Sequence, residues 1–159
     1  MSCLKHCAAK MDSEALGVFY KMIDPLSDIR QYSTTMTISQ VLKFCQKKEL
    51  GITRGMVQNY IRDGLLPSPV GKRFYTHKHL AALAMIDRLK AVFDIPTIQR
   101  VLVPFMDEEG LPLEIYAELM QSSKDILARL AASTEEDSRG NLSLMIFLAL
   151  AKADVLEKI

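Results

Sequence analysis

The stretch from residue 53 to residue 76, TRGMVQNYIRDGLLPSPVGKRFYT, constrains the fold more than any other part of the chain. Thr53 is a typical helix N-cap, and Gly64 is typical of the left-handed residue just past a helix end. Two prolines then stiffen the chain, and Gly71 permits a turn before the basic and aromatic run 72–75. The stretch therefore predicts a short helix, a sharp stop and a compact basic hairpin.

The predicted helix has two chemically different faces. At 100° per residue, four apolar side chains share one arc that can be buried: Met56, Val57, Tyr60 and Ile61. The opposite arc carries polar and basic side chains: Arg54, Gln58 and Arg62, with Asn59 at its margin. Because guanidinium and amide groups pair with base edges and phosphates, the pattern favours a recognition helix over residues 53–63 and a wing over residues 67–75.

Charge is distributed unevenly along the chain. Residues 36–100 hold eleven Lys and Arg against four Asp and Glu, whereas residues 101–159 hold five against eleven. A phosphate-binding module followed by a separate association element would show this pattern. Chance segregation of solvated charges is the alternative, because charge asymmetry alone does not identify a partner.

A second helix is predicted just before the first stretch, from a cap at Thr37 to about Lys48. Four apolar residues recur at helical spacing along it: Ile38, Val41, Leu42 and Cys45. On this stripe Cys45 is expected to be a small core residue rather than a reactive thiol. Two helices joined by the short connection 50–52 have the layout of a helix-turn-helix.

The helix after the hairpin is predicted to form the centre of the core. Thr76 caps it, and the broadly apolar sequence continues to about Val92. His77 and His79 are two positions apart, so they point to different sides and cannot chelate a metal ion together. We expect both histidines to be solvated or to face phosphate near the helix start.

Helical patterns fill the chain on both sides of this region. A helix capped by Asp12 or Ser13 is predicted to end before Pro25, and further helices to begin at Pro96 and Pro112. The stripe of the helix after Pro96 is Ile98, Val101, Leu102 and Phe105. The run 142–151 is apolar almost all round, which favours a homodimer interface within residues 112–159; the alternative is a buried central helix of the same chain.

The sequence carries no recognisable catalytic motif. A phosphate-binding glycine loop, a metal-ligand set and a nucleophile paired with a base are all missing, so we expect no enzyme, no metal and no cofactor. Cys3, His6 and Cys7 share a helix face but lack a fourth zinc ligand. Three sparse cysteines, no apolar run of membrane-spanning length and no signal-peptide pattern predict a cytoplasmic protein without a membrane segment.

Residues 36–102 resemble the DNA-binding domain of the MerR family of bacterial regulators. The similar pieces are Thr37-Ile38-Ser39, Tyr60, Arg62-Asp63-Gly64-Leu65-Leu66-Pro67, the wing residues Gly71, Arg73 and Tyr75, and the apolar positions from Leu80 to Ile98. The form MVQNYIRDGLLPSPVGKRFYT looks closest to an uncharacterised bacterial family, domain of unknown function 1836, which also resembles MerR.

The resemblance implies a mainly α, winged helix-turn-helix (MerR-like) fold with a small β-hairpin wing and a C-terminal helical extension. The implied domains are an N-terminal helix and linker (1–35), the winged domain (36–106) and a helical association region (107–159). Seven residues are expected to contact double-stranded DNA. Arg54, Gln58, Asn59 and Arg62 would face the major groove, and Lys72, Arg73 and Tyr75 would hold phosphates or the minor groove.

Two functions compete on this sequence. The first is a sequence-specific, homodimeric DNA-binding transcriptional regulator. The second is a protein-interaction adaptor that has kept the winged-helix scaffold and lost DNA binding. Gln58 and Asn59 stand where MerR regulators usually carry an arginine and a tyrosine, and the hairpin is shorter than the usual MerR wing; both departures favour the adaptor.

Overall fold

The structure, a computed structural model, describes residues 24–133 and residue 146, and of residues 126–133 only the helical backbone. The described part is mainly helical, with a small two-stranded antiparallel sheet. The helices are α1 (Ile38–Lys47), α2 (Arg54–Arg62), α3 (His77–Leu89), α4 (Ile95–Leu102) and α5 (Leu113–Ser133). The strands are β1 (Thr35–Met36) and β2 (Tyr75–Thr76), and short 3-10 turns span Ile29–Gln31 and Val103–Phe105.

Two sequence predictions concern residues mostly beyond the described part. The helix expected to end before Pro25 lies outside the described residues. Of the apolar run 142–151 only Ile146 is described, as a helical residue with 52% of its surface exposed. No helix in the described part is both long enough and apolar enough to cross a membrane.

Residues 24–117 belong to one compact unit, and residues 118–133 of α5 belong to another. α3 lies at the centre of the first unit, as predicted, since residues 80–84 are at most 1% exposed. Three of these five residues are alanines, whose small side chains let neighbouring elements approach closely. Other buried side chains of this unit come from several elements: Val41, Phe44, Cys45, Val57, Tyr60, Leu65, Leu66, Ile98, Leu102 and Leu111.

Local sequence determines where α1 and α2 begin and end. Thr37 opens α1 through a capping box, and the Thr53 hydroxyl accepts a hydrogen bond from the Met56 N–H at 3.3 Å to open α2. Gly64, with φ +74°, closes α2, and the Leu65 N–H then donates to the Tyr60 carbonyl at 2.8 Å. These predicted helix ends are confirmed.

The sheet differs from the predicted hairpin. β2 pairs with β1, which precedes α1, in the register Thr35 with Thr76 and Met36 with Tyr75. The loop 70–74 is closed by the single bridge between Val70 and Phe74. Two prolines, at positions 67 and 69, precede this loop. Because proline has no N–H to donate, that arm cannot extend the ladder, and the strand after the loop pairs elsewhere.

Two further side-chain expectations are wrong. His79 is fully buried rather than solvated, because the start of α3 already lies in the core. Phe105 is 54% exposed rather than part of a buried stripe. α4 ends at Leu102 and the chain continues as a 3-10 turn, so Phe105 is not part of the α-helix on which the stripe was predicted.

Candidate nucleic-acid interface

α2 separates an interior face from an exposed polar face. Val57 and Tyr60 are 0% and 5% exposed and hold the helix against the core. The four side chains predicted to read DNA are all exposed along the helix: Arg54, Gln58, Asn59 and Arg62. The amphipathic pattern therefore places all four where a partner can reach them.

The connection that leads into α2 is held by an ion pair from α3. Asp87 Oδ1 accepts a hydrogen bond from the Gly51 N–H at 3.1 Å and lies 2.7 Å from Lys90 Nζ. Lys90 Nζ in turn donates to the Gly51 carbonyl at 2.8 Å. Both backbone polar groups of Gly51 are thus satisfied by side chains 36 and 39 residues away, which fixes the angle at which the chain enters α2.

The other end of α2 is held from α4. Gln99 Nε2 donates to the Asp63 carbonyl at 2.9 Å, and this carbonyl has no partner within α2 because it lies at the helix end. A Cβ at Gly64 would lie 3.5 Å from the same amide nitrogen. Side-chain hydrogen bonds from two other helices therefore fix both ends of the exposed helix.

Arg62 differs from the other exposed residues of α2 because an acid already binds it. Its Nε lies 2.8 Å from Asp63 Oδ1, and its Nη2 lies 3.2 Å from Asp63 Oδ2. These two hydrogen bonds raise the pKa of Arg62. The pair is exposed, so its net stabilisation is small, and a nucleic acid could replace the carboxylate.

The loop 70–74 presents its basic residues at a tight tip. Gly71 and Lys72 both have positive φ, +59° and +63°, as the two central residues of a type I′ turn require. The Arg73 N–H donates to the Val70 carbonyl at 3.2 Å and closes this turn. Lys72 and Arg73 are exposed, so the two predicted wing cations lie at the surface.

Tyr75, the third predicted wing residue, lies in the interior. It is 7% exposed, and its ring contacts the His79 ring edge-on with 5.3 Å between centroids. Burial raises the pKa of the Tyr75 hydroxyl, and the Arg54 charge opposes this rise.

Sequence reasoning missed the exposed apolar residues of the loop and the residues that hold α2. Phe74 and Val70 are 39% and 42% exposed. The alternation of strand side chains could have indicated that Phe74 and Tyr75 point to opposite faces. No local signal identifies Asp87, Lys90 or Gln99, because each acts on a backbone group 36 or more residues away.

The described residues offer few groups for other chemistry. Burial raises the pKa of the Cys45 thiol to about 12, and this cysteine is fully buried, which confirms the core position predicted for it. Within residues 24–125, no three His, Cys, Asp or Glu side chains are grouped so that they could hold a metal ion.

The compact unit that carries α2 and the loop coincides closely with a known family. The family model described as Domain of unknown function (DUF1836) matches residues 25–119, which include α1 to α4, the loop 70–74 and the side chains that hold both ends of α2. No curated protein and no solved structure matches the chain. Because the matched segment covers more than half of the 159 residues, the chain belongs to the family described as Domain of unknown function (DUF1836).

Proposed function

We propose that this chain is a sequence-specific DNA-binding transcriptional regulator with a winged helix-turn-helix (MerR-like) architecture. One observation carries the proposal: α2 exposes four polar side chains opposite its buried face, while α3 and α4 fix its two ends. A rigid helix with exposed Arg, Gln and Asn side chains suits the major groove, where these residue types pair with base edges.

Some of the exposed residues would contact base edges and so read the sequence, and others would contact the DNA backbone and so position the protein. Gln58 and Asn59 are suited to bidentate hydrogen bonds with adenine, and Arg54 to guanine or a phosphate. Lys72 and Arg73, at the loop tip, would hold the DNA backbone, and such contacts fix register without reading sequence. Tyr75 would support the loop from inside, since its side chain is buried.

A homodimer is part of the proposal. The almost entirely apolar run 142–151 needs cover on every side, and a second copy of the chain would supply it through residues 112–159. A two-fold dimer would present two copies of α2, so the target would be a near-palindrome whose half-site spacing matches their separation. Sedimentation of the full chain as a monomer at high concentration would contradict this part.

DNA binding can be tested by titrating the full chain against sheared genomic DNA at several salt concentrations. With four to six phosphate contacts, log K should fall against log salt with a slope of roughly −4 to −5. A flat salt response, or no binding at low salt, would contradict the proposal.

Two variants separate reading from positioning. Gln58→Ala should cost about 1–3 kcal/mol on the best binding site and relax the preference at one base pair. Arg73→Ala should weaken binding to selected and random DNA alike and reduce the salt slope by about one unit. Matched controls are Gln46→Ala and Arg30→Ala, since both residues are exposed but lie outside α2 and the loop. The same pattern of loss in Gln58→Ala and Arg73→Ala would disprove the assignment.

A second candidate function is a protein-interaction adaptor on the same scaffold. The Arg62–Asp63 pair favours it, because one of the four exposed polar side chains of α2 already has an intramolecular partner. An adaptor would keep its helical content and melt cooperatively but bind no duplex DNA at low salt. The salt titration therefore distinguishes the two candidates.

A further inference from the structure

The loop 70–74 carries an apolar pair beside its two cations. Val70 and Phe74 are antiparallel bridge partners, so their side chains point to the same face of the loop. They are 42% and 39% exposed, respectively. The Arg73 guanidinium lies over the Phe74 ring, 5.4 Å from its centroid, so a cation directly adjoins the apolar pair.

We infer that Val70 and Phe74 contact the sugar edges of the DNA minor groove, while Lys72 and Arg73 hold the flanking phosphates. The inference rests on the proposed function and names the part of the duplex that the loop would touch. Charge complementarity favours DNA: two exposed cations directly adjoin the apolar pair. The minor groove is about 6 Å wide, so side chains of the loop, rather than its backbone, would reach into it.

The covered part of the Phe74 ring limits how deeply it can enter the groove. With 39% of the residue exposed, most of Phe74 stays against the protein. It can therefore lie along the groove wall but cannot insert between base pairs as the wedges of DNA-bending proteins do. Sugar edges are the same for every base, so this contact would add affinity without adding sequence preference.

A protein surface fits the pair less well. A stable protein interface usually buries about 800 Å² on each partner, which is far more than two partly covered side chains at a loop can offer. The cations between them would also require an acidic partner surface. Self-association through the loop is therefore an outcome that the experiment must detect.

The test measures binding of the full chain to a random-sequence 30-base-pair duplex by fluorescence anisotropy over a range of salt concentrations. Phe74→Ser should weaken binding by about five- to tenfold at every salt concentration and leave the salt slope unchanged, because an apolar contact releases no counterions. Lys72→Ala should instead reduce the slope by about one unit. Phe74→Leu keeps an apolar side chain and should bind nearly as well as the wild type.

The matched control is Phe105→Ser, the same change at an aromatic residue that is 54% exposed outside the loop. It should leave binding unchanged. Val70→Thr preserves the side-chain shape and should also weaken DNA binding, but less than Phe74→Ser does. A loss of affinity in this variant would show that the effect at the loop does not come from misfolding of the serine variant.

Equal affinities for Phe74→Ser and Phe105→Ser would overturn the inference and leave the proposed function standing. So would a change of slope in Phe74→Ser, or a loss of affinity accompanied by a change in sedimentation. If the wild-type chain binds no DNA at low salt, the proposed function fails and the inference fails with it.

Discussion

The two strands of the small sheet lead into their helices through the same local motif, but the chemistry of the two junctions is different. At the first junction the Thr37 N–H donates to Gln40 Oε1 at 2.8 Å, and both side chains are accessible to solvent. At the second junction the Thr76 N–H donates to His79 Nδ1 at 3.1 Å, and His79 is fully buried. Each arrangement is a capping box, in which the third helical residue reaches back to the capping residue.

At the buried junction the side chain must make more hydrogen bonds than at the exposed junction. A backbone N–H can only donate, so Nδ1 of His79 must be the acceptor and the neutral ring carries its proton on Nε2. That nitrogen lies 3.3 Å from the Ser68 carbonyl and donates to it. His79 therefore connects Thr76, two residues after the loop, with Ser68, two residues before it.

The two junctions show that a capping residue does more when it lies in the core than when it is exposed. Gln40 holds the start of one helix, and water can replace its hydrogen bond. His79 holds the start of α3 and both ends of the loop, in a place that water does not reach. Changes at His79 should consequently affect stability and the loop together.

The largest expected effect comes from removing the His79 ring. His79→Ala would leave a cavity in the core and deprive the Thr76 N–H and the Ser68 carbonyl of their partner, which should lower the free energy of unfolding by about 2–4 kcal/mol. Urea denaturation followed by circular dichroism measures this loss. If the proposed function holds, the variant should also bind DNA more weakly. A loss below that of Gln40→Ala would show that the two junctions do not differ as described.

A pH effect should be specific to the buried junction. Burial lowers the pKa of His79, and the hydrogen bond to the Ser68 carbonyl and the Glu109 charge only partly oppose this. Above about pH 6.5 both folded and unfolded states are neutral at this residue, so its contribution to stability is complete. Below that pH the unfolded state takes up the proton first, and stability falls by at most about 1.4 kcal/mol per pH unit until the folded ring is also protonated.

This pH dependence can be isolated by substitution. His79→Gln keeps a side chain that can complete a capping box but removes the titrating ring. Its unfolding midpoint should change less than that of the wild type between about pH 7.5 and 5.5, a window above the range in which most carboxylates titrate. If the unfolding midpoints of the two proteins changed equally with pH, His79 would be excluded as the source of the pH dependence.

The two junctions also indicate how far sequence alone could predict this molecule. Thr37, Thr53 and Gly64 mark helix ends correctly because capping depends on residues only a few positions apart. The apolar stripes were predicted in part: Val41 and Cys45 of α1 and Val57 and Tyr60 of α2 are buried, but Phe44 is also buried and was not in the predicted stripe. A threonine followed three residues later by glutamine is a recognised capping pattern, but the same spacing with histidine is not, so the role of His79 was not visible.

The remaining features depend on contacts between distant segments. Tyr75 is buried and Phe74 is exposed because β2 pairs with β1, about 40 residues away, and a hairpin prediction cannot supply that register. The hydrogen bonds of Asp87 and Gln99 to backbone groups 36 residues away have the same character. The polar face of α2, by contrast, could be predicted, since helical periodicity alone exposes its four side chains.

The smallest expected effect tests the exposed junction. Gln40→Ala removes the acceptor of the Thr37 N–H but leaves that group open to water, so the free energy of unfolding should fall by only about 0.5–1 kcal/mol and without a pH dependence of its own. Gln46→Ala is the matched control, because Gln46 is exposed near the other end of the same helix and should be nearly neutral. Denaturant midpoints of the two variants, measured at one pH and protein concentration, give the comparison. A loss of several kcal/mol in Gln40→Ala would mean that the first junction is as dependent on its side chain as the second, and that burial does not explain the difference between them.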